Sequence, residues 1–297
     1  MKKIFTGIMP ALITPLQEDN KTVNETVTRE LIEFLLKQGA DGFYIVGSTG
    51  EGIVLEEKER MKLCEIVVDQ VKGRKPVICH TAAMNFGEAV RLSKHAESVG
   101  ADAISAIPPL FFHYRESDIC SYYKTLAEST SLPFIMYNHA SANGGLSAET
   151  VAKLFQVDQI TGVKWTVNNY FEMMKLKDMT NGEMNIINGP DEMLVAGLAS
   201  GADAGIGTTY NVMLPEYLEI YRNIKAGNVE KARQIQMKVN RVVSVMIKHE
   251  VIPAVKEMCT MMGFESGKAT YPMGQMTEVE KAALKADLDL VGWTFHA

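Results

Sequence analysis

Residues 38–48 read "QGADGFYIVGS", and their order marks a junction. A glycine able to close a helix comes first, then an Ala-Asp pair, then a short apolar run that ends in small and polar residues. "VGADAISAIPP" from Val99 and "SGADAGIGTT" from Ser200 repeat that order. Three copies of one helix-to-strand junction predict a repeated αβ unit.

The remaining strands fall between the copies: "GIMPALITP" (7–15), "PVICHTAA" (76–83), "PFIMYNH" (133–139), "TGVKWT" (161–166) and "MNIINGP" (184–190). The spacers carry apolar residues at helical intervals, such as Leu31, Phe34 and Leu35 in the first and Met61, Cys64, Val67, Val68 and Val71 in the second. Strand and helix alternate eight times. Short apolar strands joined by helical crossovers mean a parallel sheet, and eight such units predict an α/β fold of the TIM (β/α)8 barrel type. A doubly wound open sheet is the competing arrangement, since periodicity alone does not establish closure. From Leu214 the pattern is helical throughout, interrupted at Gly227. This predicts a barrel over residues 1–225 and a C-terminal helical extension over 226–297, packed on the barrel or on a neighbouring subunit.

Composition narrows the function. The 297 residues are 46% hydrophobic and 22% charged, enough for a sizeable core, and 30 basic against 36 acidic residues give a net charge of −6 without a long block of either sign. That balance argues against nucleic acid and gives no reason to invoke a membrane surface. No apolar run approaches the ~20 residues of a membrane span, and the opening "MKKIFTGIMPALITP", punctuated by Gly7, Pro10 and Pro15, reads as a first strand. The four cysteines (Cys64, Cys79, Cys120 and Cys259) are far apart, and the six histidines show no metal-binding spacing. A reduced cytoplasmic enzyme without a metal is the expectation. The 18 methionines read as core filling in the helices.

One residue resists that core. "GVKWTVNN" (162–169) puts Lys164 inside a strand, where burying an ammonium costs several kcal/mol unless it is paired or loses its proton. Alternation gives Lys164 and Thr166 one parity, with Val163 and Trp165 facing the helices, so the lysine points into the barrel mouth. The carboxyl ends of barrel strands carry the active site. Here they bring Gly47-Ser48-Thr49-Gly50-Glu51, Tyr137-Asn138, Lys164 and Thr166, Gly189-Pro190-Asp191-Glu192 and Thr208-Thr209-Tyr210-Asn211 to one face. A desolvated amine there can attack a ketone and form a Schiff base. Ser48 and Thr49 offer hydroxyls and backbone N–H groups to a carboxylate, and Tyr137 can shuttle a proton. Lys164 would make an iminium of a 2-oxo acid, the electron sink of class I aldolase chemistry. A plainer reading pairs Lys164 with Glu51 or Asp191, leaves Tyr137 as a core tyrosine and makes "GSTGE" only a tight turn.

"GIMPALITP", "DGFYIVGSTGE", "PFIMYNH", "GVKWT", "NGPDE" and "GADAGIGTTYN", taken in order, resemble the N-acetylneuraminate lyase and dihydrodipicolinate synthase family of pyruvate-dependent aldolases over nearly the whole chain. The resemblance implies a barrel with a helical C-terminal extension, a homotetramer, and no cofactor beyond the covalent Schiff base on Lys164. It also implies Tyr137 as proton relay, with Ser48 and Thr49 at the pyruvate carboxylate. Lys164-Trp165-Thr166, Gly189-Pro190-Asp191-Glu192 and Ile206 to Asn211 look closer to the lyase branch. By that likeness Thr166, Gly189, Asp191, Glu192 and Thr208 hold the hydroxyls of an open-chain sugar acid, with carboxylates as strong acceptors for O–H donors. N-acetylneuraminate, cleaved to pyruvate and N-acetylmannosamine, is the leading substrate.

The chain departs from the family in two stretches. "YNHASANGGLS" lacks the arginine usual in the synthase branch, and it has Ala140 and Asn143 where the lyases carry proline and a small hydroxyl residue, while Gly144 is retained. After the fourth strand, "IPPLFFHYRESD" has Phe111 and Phe112 where the family places an intersubunit tyrosine, with His113 and Tyr114 as the available substitutes. A phenylalanine passes no proton. A 2-keto-3-deoxygluconate-type aldolase, dihydrodipicolinate synthase and, in another class, a binding barrel without catalysis are the other readings.

Overall fold

The structure, a computed structural model, describes residues 5–140 and 144–295. Its eight strands are β1 (Gly7–Pro10), β2 (Phe43–Ile45), β3 (Val77–His80), β4 (Ala103–Ala106), β5 (Phe134–His139), β6 (Ile160–Thr166), β7 (Asn185–Asn188) and β8 (Ala204–Gly207). The helices between and after them are α1 (Glu25–Gln38), α2 (Glu57–Val71), α3 (Phe86–Ser98), α4 (Glu116–Ala127), α5 (Ala148–Leu154), α6 (Tyr170–Met179) and α7 (Leu194–Ala199), then α8 (Tyr210–Lys225), α9 (Val229–Lys248), α10 (Val251–Met261) and α11 (Glu278–Leu290).

All eight strands run parallel, in the spatial order β1-β8-β7-β6-β5-β4-β3-β2. The strand predicted over 7–15 turns out to be shared between two neighbours, and that division closes the barrel. Gly7 to Pro10 pair with β8, whereas Ala11 bridges Tyr44 and the Leu12 N–H donates to the Tyr44 carbonyl at 2.9 Å. Hydrogen bonding therefore runs round from β1 to β8 and back to β2, which excludes the open sheet.

The three repeated junctions fold alike. Gly39, Gly100 and Gly201 have φ of 104°, 88° and 101°, in the left-handed region that only glycine enters without strain. The aspartate two residues on then turns back. Asp41 accepts from the Ile8 N–H at 3.0 Å, Asp102 from Val77 at 2.8 Å and Asp203 from Ile186 at 2.9 Å. Each carboxylate satisfies a backbone donor at the amino end of the preceding odd-numbered strand, a group that would otherwise be unpaired.

Other signals act locally. Asn24, Asn85, Ser147, Asn169 and Thr277 cap α1, α3, α5, α6 and α11 by accepting a first-turn N–H. Gly227, at φ 79°, separates α8 from α9 where the sequence pattern is interrupted. The core fills the barrel and the layer between strands and helices, with Ile135, Ile187 and Ile206 fully buried inside and Phe43, Phe134, Leu31, Leu63, Leu126 and Leu176 between the strands and the helices. Among the described residues no helix is long and apolar enough to cross a membrane.

Candidate active site

Strands β5 and β6 pair so that Tyr137 lies opposite Lys164 and His139 opposite Thr166. Partners in parallel register present side chains to the same face, so all four point one way. That way is inward. The Lys164 ammonium stands 3.9 Å from the centroid of the Tyr137 ring and 5.6 Å from that of Tyr44, and Lys164 is only 5% exposed. Trp165, of opposite parity, is packed away at 1% exposure. Alternation is thus obeyed from Val163 to Thr166, after a shift of register at the start of the strand.

The plainer pairing of Lys164 with a carboxylate does not occur. Its Nζ donates to Thr166 Oγ1 at 3.3 Å, and it forms no ion pair among the described residues. Both carboxylates are committed elsewhere. Glu51 is buried against Lys256 of α10, Nζ to Oε1 2.7 Å, and also accepts the Thr270 N–H. Asp191 accepts both the Thr209 N–H at 2.7 Å and the Thr209 hydroxyl at 2.8 Å. The amine is left with a hydroxyl and two aromatic faces.

Those faces belong to a cluster at the base of the site. The Tyr137 ring meets Tyr44 at 6.2 Å and His80 at 6.1 Å, both nearly edge-on. Burial, with the charge of Arg60 close by, pushes the His80 imidazole down to about 3, so it is neutral. Its Nε2 accordingly accepts the Ile107 N–H at 3.1 Å. Tyr44, whose hydroxyl is raised well above its ordinary value by burial, lies 3.1 Å from Ser105 Oγ.

The other candidates line the rim in two groups. Thr49 is buried, its hydroxyl 2.6 Å from that of Thr208 across the mouth, whereas Ser48 is exposed at the turn of the same loop. That loop bends through Val46 at φ 59° and Glu51 at φ 58°, the first a strained conformation for a β-branched residue. On the far side, Gly189 is pressed against Thr166 so closely that a methyl there would collide with the threonine hydroxyl. Burial raises the Asp191 carboxyl to about 7, against the pull of the Thr209 bonds, with the charge of Glu192 adding to the rise and that of Lys164 opposing it. Glu192 is half-buried, its carbonyl accepting from the Asn240 side chain of α9 at 3.0 Å.

The sequence reading missed Tyr44, His80 and His139, which follow from applying to β2, β3 and β5 the alternation that located Lys164. It placed Thr209 on the active face without a role, and its bonds to Asp191 supply one. Asn143 lies outside the described residues. Phe111 and Phe112 stand at the surface after β4, 85% and 65% exposed, their rings 4.9 Å apart and Phe111 at φ 77°. Among the described residues no group of three or more His, Cys, Asp or Glu could hold a metal ion.

Comparison with known proteins agrees with this architecture. An N-acetylneuraminate lyase of Rhizobium meliloti (strain 1021) is 34% identical over 279 residues, 94% of this chain and 93% of that protein. The solved structure of Proteus mirabilis N-acetylneuraminate lyase superposes with a TM-score of 0.93 at 27% identity, covering 98% of this chain and 100% of that one. Dihydrodipicolinate synthase from Aquifex aeolicus gives 0.92 at 27%, covering 99% and 100%. The Dihydrodipicolinate synthetase family profile matches residues 4–290, and the chain belongs to that family.

Proposed function

We propose that the protein is a Schiff-base aldolase that reversibly cleaves a 2-oxo-3-deoxy sugar acid, N-acetylneuraminate foremost, to pyruvate and N-acetylmannosamine. The observation that carries this is Lys164: an amine 5% exposed at the barrel mouth, without an ion pair among the described residues and 3.9 Å from the Tyr137 ring. A buried cation without a counter-ion is costly, and its use as a nucleophile gives that cost a purpose. The N-acetylneuraminate lyase relatives, 32–34% identical over nearly the full length, support the same substrate.

In this reading the Lys164 amine adds to the keto carbon and water leaves, giving an iminium. The C3–C4 bond then breaks, its electrons moving into the iminium to give an enamine, while the C4 hydroxyl loses its proton and becomes the aldehyde carbonyl. Tyr137 relays that proton and returns one to C3, and water then hydrolyses the resulting iminium, breaking the bond to Lys164 and releasing pyruvate. Ser48 and Thr49 hold the pyruvate carboxylate; Thr166, Gly189, Asp191, Glu192 and Thr208 hold the polyol. No metal or cofactor enters. A cytoplasmic homotetramer, with the barrel over 1–225 and the extension over 226–297, belongs to the same proposal.

The test is intact mass after incubation with pyruvate and borohydride, followed by peptide mapping. A reduced pyruvyl adduct on Lys164, together with release of N-acetylmannosamine from N-acetylneuraminate, is expected. A folded protein that traps no pyruvate overturns the aldolase reading in favour of a binding barrel. Trapping without cleavage of N-acetylneuraminate moves the substrate to a shorter sugar acid.

A further inference from the structure

His139 is the last residue of β5, two after Tyr137 and opposite Thr166 of β6. Residues two apart on a strand face the same side, so the imidazole lies on the inward face, one level nearer the opening than the Tyr137–Lys164 pair. Its ring centroid is 5.5 Å from that of Tyr137, with the planes at 88°, and the residue is half-buried. The charge of Lys164 reaches it and, with burial as the larger cause, holds the imidazole below its ordinary value. A neutral imidazole offers one N–H donor and one lone-pair acceptor.

That position has a chemical meaning, which rests on the aldolase reading. With the keto carbon attached to Lys164 and the carboxylate at the Ser48–Thr49 loop, the rest of the substrate must leave the barrel past the next level of side chains. On the β5–β6 side that level is His139 and Thr166. We propose that His139 is a specificity-determining residue that hydrogen-bonds an oxygen of the aldehyde-derived half of the substrate, selecting hydroxylated over apolar aldehydes. One imidazole nitrogen is enough for such an oxygen, since according to the tautomer it accepts from a hydroxyl or donates to a carbonyl. An apolar side chain of similar volume would leave that oxygen unpaired in a half-buried place.

The experiment runs the condensation with pyruvate and two aldehydes, D-glyceraldehyde and butanal, on the full chain and on His139→Leu and His139→Gln. Borohydride trapping of pyruvate is measured alongside. We expect His139→Leu to lower kcat/KM for glyceraldehyde about tenfold or more. Butanal and the pyruvate concentration for half-trapping should change less than twofold. His139→Gln, which keeps a donor and an acceptor, should recover most of the loss. An equal loss for both aldehydes, no loss for either, or a glutamine variant as impaired as the leucine one overturns the proposal. Failure of the unaltered protein to trap pyruvate is a separate result that removes the aldolase reading beneath it.

Discussion

Lys256 Nζ and Glu51 Oε1 meet at 2.7 Å with side chains 1% and 0% exposed, joining α10 to the strained loop that carries Ser48 and Thr49. Lys256 also donates to the Lys268 carbonyl at 2.8 Å, and Glu51 takes the Thr270 N–H, so both charges are hydrogen-bonded on more than one side. Desolvation still lowers the affinity of Lys256 for its proton despite the pull of Glu51. Removing one partner leaves an uncompensated buried charge. Lys256→Met should therefore cost about 3–5 kcal/mol in denaturant unfolding. The double variant Glu51→Gln/Lys256→Met, which buries no charge and keeps an acceptor for Thr270, should recover much of that loss. If the single variant is as stable as the parent, the pair is not a structural tie.

Lys164 is the opposite case, a buried amine held by one hydroxyl and two rings. Lys164→Met keeps the length of the side chain and removes the charge. It should abolish pyruvate trapping while raising stability by about 1 kcal/mol, read as an increase in Tm. A variant that loses both trapping and stability would assign the lysine to the fold instead.

Asp191 predicts a pH dependence. Folded, its carboxyl titrates at about 7; unfolded, near the ordinary 3.8. Between those values the folded chain holds a proton that the unfolded chain has released, so stability falls as pH rises through the window. The contribution is complete below pH 3.8 and lost above about 7. The Asp191→Asn variant keeps a side-chain oxygen that can accept from Thr209 but does not titrate. Its Tm relative to the parent should accordingly improve by roughly 2 °C or more between about pH 5 and pH 8. A gap that stays constant with pH would place the carboxyl in its usual range.

Gly207 is pressed against the Asp191 carboxylate, and a methyl added there would collide with it. Gly207→Ala should displace Asp191 from Thr209 and weaken handling of the sugar acid at least tenfold in kcat/KM, while pyruvate trapping on Lys164 survives. Equal losses in both assays would show that the substitution disturbs the barrel as a whole.

How much of this was written in the sequence depends on the range of the interaction. The eight strands and the inward lysine follow from periods of 2 and 3.6 and from the Gly-Ala-Asp junctions, all local signals. The pairing of Glu51 with Lys256, 205 residues apart in the chain, is invisible to any local pattern. So is the commitment of Asp191 to Thr209, which depends on β7 and β8 being neighbours. The end of β1 at Pro10 was misplaced because Ala11 and Leu12 continue the pairing but with Tyr44 of β2, a change of partner that side-chain pattern does not encode.

The junction aspartates Asp41, Asp102 and Asp203 hold the amino ends of their neighbouring strands, whereas Lys164, His139, Asp191 and Thr208 stand at or beyond the carboxyl ends. Foundation and workshop are thus a strand's length apart, and the backbone donors that the three aspartates hold are not among the partners of the rim residues. Their energetic effects should add. For directed evolution this makes the rim positions other than Lys164, Tyr137 and the Glu51–Lys256 tie the ones to vary in search of new aldehydes, with the three aspartates left untouched to hold the strand starts.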